Sequence, residues 1–430
     1  MTLRPLLLIV SAMLASPAAA QAPMPVIAVP PLSTPADKPV GGGQTTLGVA
    51  WQASQLIAAD LRTTAETLAI PPEQKDYYSY PEVTAPTFSR WRAKGAKGLL
   101  TGFVRAQPDG RLAVGCYVYD VEKGRELGRT GFVVDADDWR RAAHRCSGLA
   151  YQHVVGAPGV FDTRIAYVAK TGSGAAQVTR VAVMDSDGLN HSYVTAGDTM
   201  VLTPRIAPKA ERLAYVSYAG GKPTIQIVDL ASGNQRALIQ GDLTSFAPRY
   251  SPDGTRIVFS MVNAGNTDIY MVNATGGVPQ RLTSAPGVDT DPSFSPDGAK
   301  ILFESDRSGS QQLYVMDASG ANQRRITFGG GWYATPEWSP DGEKIAFTSR
   351  GSDGLRIGVM NADGTSPKAV TSGPRDEGPN WAASSRELIF QRTDVTGRSG
   401  IYRVPLSGGE PRKITVPQDG SDPDWSGTRE

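Results

Sequence analysis

Three histidines, His144, His153 and His191, are all that this 430-residue chain offers for imidazole chemistry. A nucleophilic triad would need one of them beside a serine and a carboxylate. His144 and His153 fall on one expected helix, and His191 falls beside a turn where solvation is expected. No G-x-S-x-G elbow, H-E-x-x-H, C-x-x-C pair or phosphate loop occurs. GGGQTT from Gly41 is glycine-rich, but it lacks the lysine a phosphate loop requires and reads as the lead-in to a helix. No catalytic residue is expected.

What does recur is acid and hydroxyl at one point of a repeat. Asp289, Asp291, Asp376, Glu377 and Asp422 stand there, with Thr203, Thr290 and Thr335 at similar positions. Where such segments converge, three readings stay open. They form a solvated polar rim, a rim on which a partner docks, or a set of carboxylate and carbonyl oxygens around a cation such as calcium. The aspartates of the SPDG steps, Asp253, Asp297 and Asp341, lie at the other end of the same strand and read as turn formers.

The elements that position these residues follow from an internal period. SPDG occurs at Ser251, Ser295 and Ser339, each 44 residues after the last, with weaker copies around them. The leading prolines are Pro204, Pro248, Pro292, Pro336, Pro379 and Pro423. A second submotif of the LYVMDASG type begins at Val181, Ile225, Ile269, Leu313, Ile357 and Ile401. In SPDG, proline presets φ at the first corner and glycine takes the left-handed position. Each unit reads as four short strands, the signature of a propeller blade. The array opens in mid-unit with FDTRIAYV from Phe161 and closes with the half-unit DPDWS near Trp425. Two complementary halves make six blades. The C-terminal strand should therefore pair near Ile165 and remove both free edges.

The region before the ring lacks the repeat. VIAV from Val26 reads as a strand. Leu47, Trp51, Ser54, Ala58, Leu61, Ala65 and Leu68 define one face of a helix, and Trp91–Lys97 suggests a short second one. LLTGFV, LAVGCYVY and LGRTGFVV read as strands, and Asp137 and Asp138 open a last helix ending near Val155. The fold class is thus a mixed α/β domain over 21–158 followed by a closed six-bladed β-propeller over 159–430.

Residues 1–20 read as an export signal. Arg4 is basic, Leu6 to Leu14 is apolar, and Ala18, Ala19 and Ala20 form a small-residue cleavage site. The apolar run is too short for a hydrocarbon layer of ~30 Å. No membrane insertion is expected, and the signal looks bacterial, which places the product in the periplasm. Cys116 and Cys146, the two cysteines, then meet an oxidising compartment. Both could face one core, as a disulfide or as two buried thiols. The formal net charge of +1 falls to 0 without Arg4, which gives no support for nucleic-acid binding.

FDTRIAYV, the run of SPDG units, AADLR from Ala58 and VDADDWRRAAH from Val134 together resemble the TolB family, the periplasmic component of the Tol–Pal envelope system. The resemblance covers nearly the whole mature chain. It implies a monomeric, non-enzymatic adaptor without a cofactor, which supports outer-membrane integrity and cell division. Such an adaptor binds the lipoprotein Pal through the propeller's channel mouth and contacts the inner-membrane protein TolA. By blade position the Pal-facing residues correspond to Thr203, Phe246, Ala247, Thr290, Asp291, Thr335, Glu377 and Asp422. The TolA-binding tail corresponds to Gln21, Ala22, Pro23, Met24 and Pro25, a short remnant beside the tail of better-known members. Either the tail is reduced here or the TolA contact lies elsewhere. The competing reading is a propeller enzyme acting on peptides or oligosaccharides. It lacks a nucleophile elbow, and His191 is the only histidine in the ring.

Overall fold

The computed structural model describes residues 23–429 apart from 209–211, 242, 329, 352 and 353. The expected export signal, with Gln21 and Ala22, lies outside the described residues. Among the described residues no helix is long and apolar enough to cross a membrane.

The amino-terminal domain is a five-stranded mixed sheet. Its strands are β1 (Val26–Ala28), β2 (Leu68–Ile70), β3 (Gly98–Ala106), β4 (Leu112–Asp120) and β5 (Arg125–Val134), in the order β2-β1-β3-β4-β5. β1 runs parallel to β2 and β3, while β3, β4 and β5 are antiparallel. Alternation along β4 gives the sheet two apolar faces. Leu112, Val114, Cys116 and Val118 lie under helices α1 (Thr46–Thr63) and α3 (Trp139–Val155). Tyr119 lies on the other side, with Leu99 and Trp91. Cys116 and Cys146 are bonded, with Cα atoms 5.9 Å apart, and tie β4 to α3.

Two helix boundaries differ from expectation. α1 stops at Thr63, and Leu68 lies on edge strand β2. The hydroxyls of Thr64 and Thr67 both donate to the Leu61 carbonyl, so side chains take the place of the next helical turn. The buried stripe of α1 is Val49, Ala53, Ile57 and Leu61, and Leu47 is exposed. The short helix α2 spans Ser89–Ala93, earlier than Trp91–Lys97. Gly95 (φ 77°) ends it, and Lys97 N already donates to Val26 O at 2.8 Å.

The propeller has six four-stranded sheets. Their inner strands are Val201–Ile206, Ser245–Tyr250, Asp289–Phe294, Tyr333–Trp338, Asp376–Trp381 and Asp419–Trp425. Each inner strand touches the next, and the last touches the first, so the six surround one axis. We number the blades from the one built on Arg164–Thr171; Val201–Ile206 then belongs to blade 2 and Asp376–Trp381 to blade 6. Outer strands are short, often two residues such as Arg324–Arg325. A threonine just beyond them repairs the ladder. Thr195, Thr283, Thr327 and Thr371 each accept a third-strand N–H at 2.9–3.0 Å.

Closure uses Asp419–Trp425 against Arg164–Thr171, with Trp425 opposite Ile165 and Asp419 opposite Lys170. Trp425 Nε1 donates to Thr163 Oγ1 at 2.8 Å, and Ser426 N donates to Arg164 O at 2.8 Å. Beyond the strand, Arg429 holds Asp162 at 2.7 Å and Asp185 at 3.2 Å.

The amino-terminal domain packs on the face that carries the turns joining first to second and third to fourth strands. Glu66 meets Arg386 at 2.6 Å, and Arg140 on α3 pairs with Asp187. One apolar cluster runs from α1 and α3 through Phe161 and Ile165 to Ile389 and Trp425.

Trp425 is 5% exposed. We expect Trp425→Ala to lower the unfolding free energy by about 3–5 kcal/mol, seen as a lower urea midpoint at unchanged slope. A loss below ~1 kcal/mol would mean that the closing strand contributes little.

Candidate partner-binding mouth of the propeller

Each inner strand breaks register at the same place, between Leu202 and Arg205 in blade 2 and at equivalent points in the other five. The residue at each break has positive φ: Thr203 (43°), Ala247 (51°), Asp291 (48°), Thr335 (45°), Gly378 (63°) and Asp422 (52°). A proline follows every one. A left-handed conformation costs a non-glycine residue about 1–2 kcal/mol. Five such residues at one level of one channel are a strained ring, the kind of backbone outlier that accompanies binding sites.

Neighbouring blades hold this ring in place. Thr335 N donates to Glu304 Oε2 at 2.9 Å, Gly378 N to Thr348 Oγ1 at 3.1 Å, and Asp422 N to Gln391 Oε1 at 3.3 Å. Each acceptor sits on the second strand of the preceding blade, at equivalent registers. Ser260 has the same register in blade 3, and its buried hydroxyl has no partner among the described residues.

Two residues further along lies a second ring: Arg205, Arg249, Ser293, Glu337, Asn380 and Asp424. Arg249 reaches across the axis to Glu337 at 2.9 Å and to Asp424 at 3.3 Å, skipping a blade on each side. Asn380 bridges the two carboxylates at 2.8 and 3.0 Å, and Asp424 also accepts Ile206 N at 2.7 Å. These chords make a charge-balanced floor beneath the mouth.

Electrostatics at the rim follow from that floor. Burial pushes the Asp291 carboxyl up; Arg249 and Arg205 pull it down, and Asp422 pushes it up again. Burial, then the charge of Asp291, pushes Glu304 up to about 8, against the bonds from Thr290, Thr335 and Gln311. The two arginines therefore already supply part of the positive charge that a bound cation would bring.

The eight residues expected at the mouth come from all six blades, but they do different things. Thr203, Ala247, Asp291, Thr335 and Asp422 are the strained residues themselves. Phe246, Thr290 and Glu377 precede them in the ladder. Thr290 is buried and donates to Glu304 Oε1 at 2.5 Å, while Glu377 pairs with Arg375 at 2.8 Å. Asp289 and Asp376, expected on the rim, have no exposure; they pair with Arg307 at 2.6 Å and Arg392 at 2.7 Å, each inside its own blade. Sequence reasoning missed Gly378, Glu304 and the lower ring. The signal for the lower ring was the variable polar residue after each leading proline: Arg205, Arg249, Ser293, Glu337, Asn380 and Asp424.

Asp253, Asp297 and Asp341 accept turn amides at 3.0 Å, on the opposite face. Of the expected tail, Pro23, Met24 and Pro25 are described, and they lead into β1 of the amino-terminal domain. Pro25 O accepts Leu68 N at 3.0 Å at the edge of the amino-terminal sheet, and Pro23 and Met24 are exposed beside it.

One histidine expectation needs correction, and a second histidine has unexpected neighbours. His191 is half-buried, not solvated; its Nε2 lies 2.8 Å from Tyr167 Oη and its ring stands edge-on to Tyr193. His144 does lie beside a serine and a carboxylate, because α1 and α3 pack side by side. Ser147 donates to Asp60 at 2.6 Å and His144 Nδ1 lies 2.8 Å from the same oxygen. The serine bonds the acid and not the imidazole, and the group is buried, so no nucleophile is activated. His144, Asp185 and Asp187 also bring potential metal-ligand atoms within 4.8 Å of one another. Arg140 and Arg429 occupy those carboxylates.

Comparison with known proteins gives consistent results. A family model described as the TolB beta propeller domain matches residues 151–429, and one described as the TolB amino-terminal domain matches residues 18–127. The Tol-Pal system protein TolB of Zymomonas mobilis is 49% identical over 216 residues, which are 50% of this chain and 46% of that protein. The Tol-Pal system protein TolB 1 of Novosphingobium aromaticivorans is 43% identical over 212 residues, 49% of this chain and 47% of that one. The chain thus spans about half the length of the curated relatives it matches. The crystal structure of TolB from Acinetobacter baumannii superposes with a TM-score of 0.79 at 26% identity, covering 94% of this chain and 97% of that one.

Glu304 supplies a test of the mouth's electrostatics. Its folded pKa lies above the ordinary 4.5, so the fold holds a proton that the unfolded chain has lost. Stability should fall as pH rises from about 4.5 to about 8 and then level off. Glu304→Gln should flatten that slope in thermal unfolding. Superimposable pH profiles for variant and wild type would show that the carboxyl titrates normally.

Proposed function

Because the chain belongs to the TolB family of the Tol–Pal system, we propose that it is a non-enzymatic periplasmic adaptor whose propeller mouth docks a Pal-like lipoprotein domain. The observation that carries this reading is the ring of strained pre-proline residues above a charge-balanced floor. Such a ring presents fixed backbone and short side chains to a partner, and the floor stops the partner from passing through. The face bearing the mouth lies opposite the one that the amino-terminal domain covers, so both domains can be engaged at once. The blades leave only short outer edges, often two residues long, which fits a monomer.

Contact with a TolA-like inner-membrane protein is assigned to the other end of the molecule, around Pro23, Met24 and Pro25 and the segment before them. The support is position: this segment leads into β1, far along the chain from any inner strand. Bridging an inner-membrane protein and an outer-membrane lipoprotein would serve envelope integrity and cell division. A serine–histidine–acid reading would rest on His144, whose ring is sealed from solvent.

The test is calorimetric titration of a soluble Pal-like domain into the mature protein. Asp291→Lys places a third positive charge above Arg205 and Arg249, and we expect it to cost about 2–5 kcal/mol of binding, a loss of ~30-fold or more. Asp291→Asn, which tolerates the left-handed conformation, should cost less and keeps the fold as a control. Unchanged affinity in the lysine variant, with an unaltered circular dichroism spectrum, would exclude the mouth as the docking surface.

A further inference from the structure

The two domains meet through a chain of charges that runs from buried Asp60 and His144 to Asp187 at the surface. His144, on α3, has no exposure. Its Nδ1 lies 2.8 Å from Asp60 Oδ2 on α1, and its Nε2 lies 3.4 Å from Asp187 Oδ2 in the first blade. Asp187 also accepts Leu189 N at 3.0 Å and pairs with Arg140. From α1 outward the order is carboxylate, imidazole, carboxylate, guanidinium.

A neutral imidazole carries one N–H. If Asp60 received it, the other nitrogen would turn a lone pair toward Asp187; if Asp187 received it, the lone pair would face Asp60. Either arrangement opposes two acceptors in a buried site, which is costly. Only the doubly protonated ring turns an N–H toward both carboxylates, beside the donors they already have in Ser147, the Leu189 amide and Arg140.

We propose that His144 is held as an imidazolium that latches the amino-terminal domain to the first blade, and that the latch loosens when the ring loses its proton.

The other charges around the ring fit this assignment. On α3, Arg140 is engaged by Asp187, while Arg141 and Arg145 lie 3.4 and 4.0 Å from Asp162. On the closing segment, Arg429 holds Asp162 and Asp185. The arginines thus face other carboxylates, and the cation directly on Asp60 is His144. Burial works against a charged ring, but the Asp187 carboxylate 3.4 Å from Nε2 and the bond to Asp60 outweigh it and raise its pKa to about 10. Burial likewise works against the Asp187 carboxylate, yet the bonds from His144 and the Leu189 amide hold it down at about 2. The histidine's contribution to stability is complete below about 6.5 and is lost as pH climbs to about 10. That of Asp187 is complete above 3.8 and is lost as pH falls to about 2. The latch is therefore closed at neutral pH and yields on the alkaline side or in strong acid.

Nitrogen-15 NMR of the histidine rings in the full chain tests this directly. At neutral pH both His144 ring nitrogens should show protonated shifts, with a titration midpoint above ~9. Asp187→Asn, at the surface end of the chain of charges, should lower that midpoint by about one unit or more. It should also speed hydrogen exchange in α3 and in the turn holding Leu189, after correction for intrinsic rates. His144→Gln should lose the alkaline slope of the melting temperature; if that variant does not fold, the Asp187→Asn arm decides alone. A midpoint near the ordinary 6.5, a midpoint unmoved by Asp187→Asn, or a stoichiometric shift of the ring signals on adding zinc would each overturn the assignment.

Discussion

Backbone groups on the edge of a sheet must find partners, and in this protein that requirement is met by joining residues 249 to 260 positions apart. Asp419–Trp425 completes the sheet begun by Arg164–Thr171. The same strand carries Asp422 to the mouth and Asp424 to the floor beneath it, where Asp424 binds Arg249, Asn380 and the Ile206 amide. Closure, channel geometry and channel charge therefore share one strand, and none of the three is complete without it.

The channel concentrates two costs. One is backbone strain in the pre-proline residues, and the other is burial of two arginines and several carboxylates near the axis. Each is offset locally. Second-strand side chains of the preceding blade receive the strained amides of Thr335, Gly378 and Asp422. Chords across the axis balance the charges, and an arginine that lost its carboxylate there would be left buried and unpaired.

The interface between the domains uses different physics. An apolar cluster continuous from α1 through α3 to Ile165 and Trp425 supplies contact area without direction. Direction comes from the polar links at its margin, Glu66 with Arg386 and the His144 chain. The Cys116–Cys146 bond fixes α3, the helix that bears His144, to the sheet behind it. Mouth and interface thus lie on opposite faces of one rigid ring.

The architecture was largely legible in the amino-acid sequence. Six leading prolines and six copies of the third-strand submotif set the blade count, and the two half-units set the closure, because hydrogen-bonding ladders and tight turns are local and repeat with the chain. The helix limits were read less well. Thr64 and Thr67 end α1 through side-chain bonds that hydrophobic spacing does not encode. The left-handed turn of Thr203, Ala247, Asp291, Thr335 and Asp422 was also hidden, since none is a glycine. Which acids face the mouth was decided only when the blades came together. Asp289 and Asp291 are two residues apart, yet one is sealed against Arg307 and the other overlooks Arg205 and Arg249. The Asp60–His144–Asp187 chain joins three segments that no periodicity connects, and it exists only because helix packing and ring closure bring them within reach. Order along the chain determines what repeats; the charge partners of a buried group are chosen by packing, where desolvation makes every such choice strong.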